Sequence, residues 1–242
     1  MNKRYLGDVR DLFKYDLIQR ILEGIKSLQG FTFIPMLTEN VPESVEGNKR
    51  DFDKAKAGTK NKGLRKSLKK YNKIKNPNER DFTEIKKHFQ SCGFKVRIYE
   101  ERGNKYFTNN ERMRDEYFKN IPEGLLHKSL VFVDPDIGLE IKNSTKKHLL
   151  YYEVKGLYDR MDENSILMLF QYFPRENHTE YIKRRKGELR EKIEDLPLYV
   201  DDNEIIFFFL TKNRKLESQL NSIMAKYKSD YPCLDRRPGD KS

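Results

Sequence analysis

The chain has very little cysteine and no long apolar run, and both absences restrict what it can be. Only Cys92 and Cys233 occur among its 242 residues, which excludes a disulfide framework and is typical of a reducing cytoplasm. No stretch approaches the roughly 18 apolar residues of a membrane span, and the charged N-terminal segment lacks the apolar core of a signal peptide. We therefore expect a cytoplasmic protein without a membrane partner.

Metal-ligand patterns are also scarce. The two cysteines lie far apart, and the four histidines (His88, His127, His148 and His178) show no ligand spacing. The sequence therefore predicts no cysteine or histidine metal site. It does not indicate an oligomeric state.

Positive charge is present in excess. Lys and Arg number 49 against 38 Asp and Glu, which gives a formal net charge of +11. This balance favours a polyanionic partner, because neutralised phosphates release counterions, although it also serves solubility alone. Residues 49–75 hold twelve basic residues and only two acids. We expect nucleic acid, with DNA and RNA equally open, to contact Lys60, Lys62, Arg65, Lys66, Lys69, Lys70 and, from a later strand end, Arg175.

The apolar periodicity predicts one Rossmann-like α/β domain over residues 1–242, with a mainly parallel sheet and helices on both faces. A loop and helix reach residue 28, and residues 40–80 form a basic, partly mobile insertion. The residues 232–242 are predicted to be a flexible tail. The expected strands cover 31–37, 94–99, 129–134, 165–173 and 204–210, and the expected helices 81–91, 109–120, 146–161, 176–194 and 214–227. In such folds, ligands bind beyond the carboxyl ends of the strands.

The strongest candidate site is the acidic segment that begins where a buried strand ends, at Asp134. Asp136 and Glu140 add two more carboxylates, Pro135 fixes the backbone, and Gly138 permits a conformation that a side chain would penalise. The same residues also suit a simple turn. Because a turn does not need three acids at a ligand-facing strand end, we interpret Asp134, Pro135, Asp136 and Glu140 as catalytic candidates.

Two enzymatic readings fit this segment. Asp134-Pro135-Asp136 stands where amino-methyltransferases carry Asp-Pro-Pro-Tyr, whose acid orients the target amino group. Asp136 with Glu140 and Lys142 resembles the proline-aspartate/glutamate-x-lysine nucleases, in which two carboxylates bind Mg²⁺. That short nuclease motif arises easily by chance in a chain rich in Lys and Glu. A third reading is a non-catalytic fold that binds nucleic acid through the basic insertion.

The N-terminal segment from Tyr5 to Tyr15 carries a family resemblance. It resembles the opening of the large-subunit ribosomal-RNA adenine-N6 methyltransferases and of the three-cysteine-motif partner proteins. Asp11 and Lys14-Tyr15 match an Asp and a Lys-His of the first of these families. Together with Asp-Pro-Asp-x-Gly-Leu-Glu and the strand end Phe173-Pro174-Arg175, it also resembles a bacterial family of methyltransferase-like proteins. The resemblance covers residues 5–37 and 94–190.

The resemblance implies S-adenosylmethionine as the methyl donor. The residues that it implies for donor binding are Gly7, Asp8, Asp11, Lys14, Tyr15 and, for the ribose hydroxyls, Glu100. The chain departs from the superfamily in lacking a glycine-rich turn after the first strand, since the next glycine after Gly30 is Gly47. In addition, Asp136 replaces the second proline and no aromatic residue follows it. The usual donor contacts are therefore in question, and Mg²⁺ stays the alternative cofactor.

Overall fold

The computed structural model describes residues 1–39, 49–100, 107 and 109–234. The helices in these ranges are α1 (Val9–Gly24), α2 (Lys62–Lys69), α3 (Thr83–Ser91), α4 (Glu111–Lys119), α5 (Tyr151–Arg160), α6 (His178–Ile193) and α7 (Arg214–Asp230). The strands are β1 (Gly30–Pro35), β2 (Lys95–Ile98), β3 (Leu130–Asp134), β4 (Gly138–Leu139), β5 (His148–Leu149), β6 (Ile166–Tyr172), β7 (Leu198–Asp201) and β8 (Ile205–Leu210). None of these helices combines the length and apolar character that crossing a membrane requires.

Six strands form one mainly parallel sheet in the order β2-β1-β3-β6-β8-β7. Neighbours from β2 to β6 are parallel, whereas β8 runs antiparallel to both β6 and β7. The predicted Rossmann-like α/β fold is confirmed. The reversed β8 arises because only residues 202–204 join it to β7, too few for a crossover to a parallel strand.

Helices cover both faces of the sheet. α1, α2, α3 and α7 pack on one face, around Phe33, Phe132 and Phe207. α4, α5 and α6 cover the other face, around Val133 and Phe208. Covering on both faces explains why β3 and β8 are buried at every residue and read as unbroken apolar runs.

The strand order reverses between β1 and β3. The chain leaves β1 through α2 and α3 on one face and reaches β2, while it leaves β3 through α5 on the opposite face to reach β6. Connections that leave adjacent strands toward opposite faces open a crevice at their carboxyl ends. The fold therefore places its expected ligand position where β1 and β3 end.

The described part of the basic insertion contributes to the core. Phe52, Leu64, Leu68 and Tyr71 are no more than 1% exposed and belong to the same apolar cluster as α1. The basic side chains of this segment are thereby held at defined positions on the surface. Residues 40–48 lie outside the described residues, and the mobility of the insertion stays a prediction.

Three local details differ from the predicted elements. The helix expected over 146–161 begins only at Tyr151, because His148–Leu149 pairs with Gly138–Leu139 as a small parallel ladder. The strand β7 was not predicted, since four residues give too short a pattern. In the predicted tail, Pro232–Leu234 forms a 3-10 turn with Leu234 buried, and 235–242 lie outside the described residues.

Candidate active site

The acidic segment lies in the crevice between β1 and β3. Asp134 is the last residue of β3 and stands opposite Pro35, the last residue of β1. Its carbonyl oxygen accepts a hydrogen bond from the Met36 backbone N–H at 3.2 Å. The end of β1 therefore fixes the place where the acidic segment starts.

A buried ion cluster joins this strand end to α1. The Lys14 ammonium lies 2.9 Å from the Asp11 carboxylate and 2.9 Å from the Asp134 carboxylate, although Lys14 and Asp134 are 120 positions apart. All three residues are at most 5% exposed. Because water is excluded, removing one member would leave an uncompensated charge in the interior. The N-terminal segment and the acidic segment, which the family resemblance pairs, thus meet in space.

The charge states of this cluster follow from burial and mutual contact. Burial lowers the pKa of Lys14, but Asp11 and Asp134 outweigh it and raise that pKa well above its ordinary value. Burial raises the pKa of Asp134, and Lys14 offsets this only in part. Burial and the neighbouring Asp11 raise the pKa of Asp8 to about 7. Lys14 therefore stays a cation. The carboxylates around it outnumber it, so each of them either adds to a net negative charge or binds a proton.

The turn before α1 fixes the start of the helix and the position of Asp11 in this cluster. Asp8 caps the helix, because its carboxylate accepts the backbone N–H groups of Arg10 at 2.9 Å and Asp11 at 3.2 Å. Gly7 has φ +82° and donates its N–H to the Asp11 carboxylate at 2.6 Å. A Cβ on Gly7 would lie 2.7 Å from the Tyr71 side chain. The Gly7-Asp8 pair is thus explained by local structure, and the Asp8 carboxylate also lines the crevice.

A small cleft of about 30 Å³, partly open to solvent, lies between these groups. Its polar side chains include four carboxylates, and its walls include aromatic rings. The Arg10 guanidinium lies 5.2 Å from the centre of the Tyr172 ring. The lining residues outside the predicted catalytic and donor-binding sets are Met1, Asn2, Tyr5, Arg10, Phe170 and Tyr172. The last two come from the carboxyl end of β6, beside β3, which is the signal that points to them.

Asp136 is held less firmly than Asp134. Its carboxylate is 11% exposed and lies 3.8 Å from the Met1 amino group and 3.7 Å from the Lys147 ammonium. Both distances exceed a normal charged hydrogen bond. Asp136 therefore lines the cleft with a carboxylate that has room to accept a ligand proton donor.

Gln171 on β6 anchors the rest of the segment. Its side-chain oxygen accepts the Leu139 backbone N–H at 2.7 Å, and the Tyr172 N–H donates to the Ile137 carbonyl at 2.9 Å. Gly138 has φ +150°, and a Cβ there would lie 2.4 Å from the Gln171 amide. Glycine is therefore required where the segment passes over β6.

The structure separates Glu140 from the cleft. Its carboxylate accepts the Tyr151 backbone N–H at 2.8 Å and thereby caps the start of α5, and its carbonyl accepts a bond from Arg185 at 2.7 Å. Lys142 is exposed on the surface. Among the described residues, no group of three His, Cys, Asp or Glu side chains suits a metal ion. The residues present therefore do not fit the Mg²⁺ site of the nuclease reading.

Other predicted donor-binding residues lie elsewhere. Tyr15 is fully buried and packs edge-on against Phe33 and Phe89, so it is a core residue outside the cleft lining. Glu100 is exposed just past β2, with φ +57°. The structure brings together Asp8, Asp11, Lys14, Asp134, Pro135 and Asp136, but not Tyr15, Glu100 or Glu140.

The predicted nucleic-acid contacts divide into two groups. Lys62, Lys66 and Lys69 are exposed on α2, at positions i, i+4 and i+7 of one helical face, which we call the α2 lysine stripe. The other three basic residues make ion pairs with surface acids: Lys60 with Asp230, Arg65 with Asp53, and Lys70 with Glu84. Arg175 is exposed beyond β6 and does not line the cleft.

No family model matches the chain, and no curated protein matches it either.

Proposed function

We propose that the chain is a methyltransferase-superfamily protein that acts on nucleic acid and transfers a methyl group from S-adenosylmethionine to an amino group at Asp134-Pro135-Asp136. One observation carries the proposal. The two segments that the resemblance pairs, Gly7–Tyr15 and Asp134–Glu140, meet through Lys14 in a single cleft where β1 and β3 end.

The charge of the cleft suits a cationic donor. Four carboxylates (Asp8, Asp11, Asp134 and Asp136) line it together with three basic groups, the Arg10 and Lys14 side chains and the Met1 amino group. The donor carries a sulfonium and an ammonium, which a partly desolvated site of negative charge attracts, and a carboxylate, which the cationic groups of the cleft attract. The Phe170 and Tyr172 rings already lie against cations of the protein, since the Lys14 ammonium is 5.2 Å from the centre of the Phe170 ring and the Arg10 guanidinium is 5.2 Å from that of Tyr172. These features support the donor without the glycine-rich turn that the superfamily normally uses.

The two aspartates of the segment would take different roles. Asp136 would accept a hydrogen bond from the target amino group and so orient the nitrogen lone pair toward the methyl group. Asp134, held by Lys14, would set the start of the segment and the local field. Lys14 is therefore a positioning residue, since it contacts Asp11 and Asp134.

The surface charge supports nucleic acid as the substrate class. The α2 lysine stripe presents three ammonium groups on one face, and such groups contact backbone phosphates without reading sequence. Because Leu64 and Leu68 of the same helix are buried, deleting the segment would damage the core. Charge reversal by Lys62→Glu with Lys66→Glu tests the surface without that damage. It should weaken oligonucleotide binding and lower its salt dependence, and unchanged binding would contradict this role.

Donor binding tests the proposal most simply. S-adenosylmethionine at 100 times its Kd should stabilise the protein by about 2.7 kcal/mol, and each kcal/mol should raise the melting temperature by about 2–4 °C. Asp136→Asn should reduce the shift, and Glu140→Gln is the matched control that should keep it. No shift at millimolar donor with folded protein would contradict the proposal.

Methyl transfer tests the second half. Labelled methyl groups should appear in DNA or RNA with the wild type and with Glu140→Gln, and not with Asp136→Asn. If Mg²⁺ instead produces cleavage that Asp136→Ala abolishes, the nuclease reading replaces this proposal.

A further inference from the structure

A second cavity adjoins the candidate active site on the far side of Arg10. Its volume is about 340 Å³, it is partly open to solvent, and Arg10 lines both it and the active-site cleft. Val9, Phe13 and Ala55 supply its apolar lining. Ligand sites in proteins commonly have this size and combine an apolar lining with a few polar groups.

The rim of this cavity is cationic. Counting its charged lining, five basic residues stand against three acidic ones, which leaves a formal charge of +2. The Glu204 carboxylate is shared by three of these cations, at 2.8 Å from Lys49 and 3.3 Å from both Lys56 and Arg10. Burial raises the pKa of Glu204, but these cations outweigh it and hold that pKa below its ordinary value. Three cations thus share the Glu204 carboxylate, and one of them, Arg10, also lies 3.2 Å from the Asp8 carboxylate.

We propose that this cavity, the Glu204 cavity, binds one nucleotide of a nucleic-acid strand next to the target nucleotide. Its phosphate lies against Lys49, Lys54 and Lys56, and its base covers the apolar lining. The inference rests on the proposed function, because the shared Arg10 places the cavity one step from the cleft. An anion with a flat apolar part matches a cationic rim over an apolar lining.

Two substitutions of opposite sign test the electrostatic half. Lys54 is 84% exposed and lies 3.4 Å from Asp51, so Lys54→Glu should fold normally. It should weaken binding of a labelled single-stranded oligonucleotide about fivefold or more. It should also reduce the slope of log K against the logarithm of the salt concentration (the salt slope) by about the amount that one phosphate contact contributes. Glu204→Gln removes the negative charge that three cations share and should tighten binding severalfold. The matched control is Lys119→Glu, since Lys119 is 76% exposed and lies 3.3 Å from Asp115.

A third substitution tests the base. Ala55→Trp fills the apolar part of the cavity and should weaken the oligonucleotide without changing its salt slope. Adenosine monophosphate should compete with the oligonucleotide for the wild type and lose that ability with Ala55→Trp. An acidic peptide that competes as well as the nucleotide would overturn the assignment, as would equal weakening by Lys54→Glu and Lys119→Glu.

The outcome can be separated from that of the proposed function. The donor-induced rise in melting temperature should be the same for Lys54→Glu as for the wild type. If the donor fails to bind while the oligonucleotide results hold, the methyltransferase proposal fails and the nucleotide site stands. If the donor binds but Lys54→Glu and Glu204→Gln leave oligonucleotide binding unchanged, the Glu204 cavity inference is overturned alone.

Discussion

The two ends of the acidic segment are alike in sequence and different in structure. Asp134 is buried against Lys14 at the floor of the cleft, whereas Glu140 caps α5 through the Tyr151 backbone N–H. The first carboxylate faces a charge from α1, and the second satisfies a helix end. An acid after a buried strand is therefore a site residue only when the rest of the fold brings a ligand cavity to it.

The largest expected effect concerns the Asp134 end. Lys14→Met leaves Asp11 and Asp134 as buried carboxylates without their cation, and it should lower the free energy of unfolding by about 3–5 kcal/mol. Urea denaturation measures this change, with the exposed Lys26→Met as control. A loss below about 1 kcal/mol would show that the cluster does not hold the cleft together.

The second prediction concerns the charge of Asp8 at the same end. The folded pKa is raised to about 7 from the ordinary 3.8, so the folded state binds the proton more tightly than the unfolded state. Its stabilising contribution is full below the unfolded pKa and is lost as pH rises through 7. Relative to wild type, Asp8→Asn, which keeps a helix cap, should gain about 2–4 kcal/mol between pH 4 and 7. A pH-independent difference in denaturation would contradict this.

The third prediction concerns the middle of the segment. Gly138→Ala places a Cβ against the Gln171 amide at a strained φ, and it should cost about 1–3 kcal/mol of unfolding free energy. Gly156→Ala is the paired control, because nothing lies within 4 Å of a Cβ there and the helix should gain up to about 1 kcal/mol. Calorimetric melting of both variants decides the point. Equal melting temperatures would mean that the segment is not anchored on β6.

The smallest expected effect distinguishes the role of Glu140 from that of Asp136. Glu140→Ala should lose the α5 cap at a cost of about 0.5–2 kcal/mol and leave donor binding intact. Asp136→Asn should change stability by no more than about 0.5 kcal/mol and weaken donor binding. Melting curves with and without donor read both properties. The reverse pattern would exchange the roles assigned to the two ends.

Much of the fold followed from the sequence, because unbroken apolar runs alternate with helical periodicity. The same alternation placed Asp134 at a ligand-facing strand end before any contact was known. The reversed β8 did not follow, since the hairpin from β7 depends on a four-residue strand that gives almost no pattern.

The roles of individual site residues were harder to predict. The sequence predicts Glu140 as a site residue because it places the start of the helix at 146. The true start of α5 at Tyr151, which Glu140 caps, is not visible in the pattern. Tyr15 follows Lys14 in sequence, but its ring turns into the core against Phe33. The sequence places Phe170 within a strand and Tyr172 at its ligand-facing end, and only the pairing order shows that this strand lies beside β3. Neighbours in space decide these roles, and local sequence does not contain them.

A crystal structure of the protein soaked with S-adenosylmethionine would show directly whether the donor binds in the cleft. We expect electron density for the donor in the cleft lined by Asp134, Asp136 and Tyr172, with its sulfonium near the carboxylates. Density for the donor at another place on the fold, or for a divalent cation between Asp136 and its neighbours when Mg²⁺ is added, would contradict this expectation.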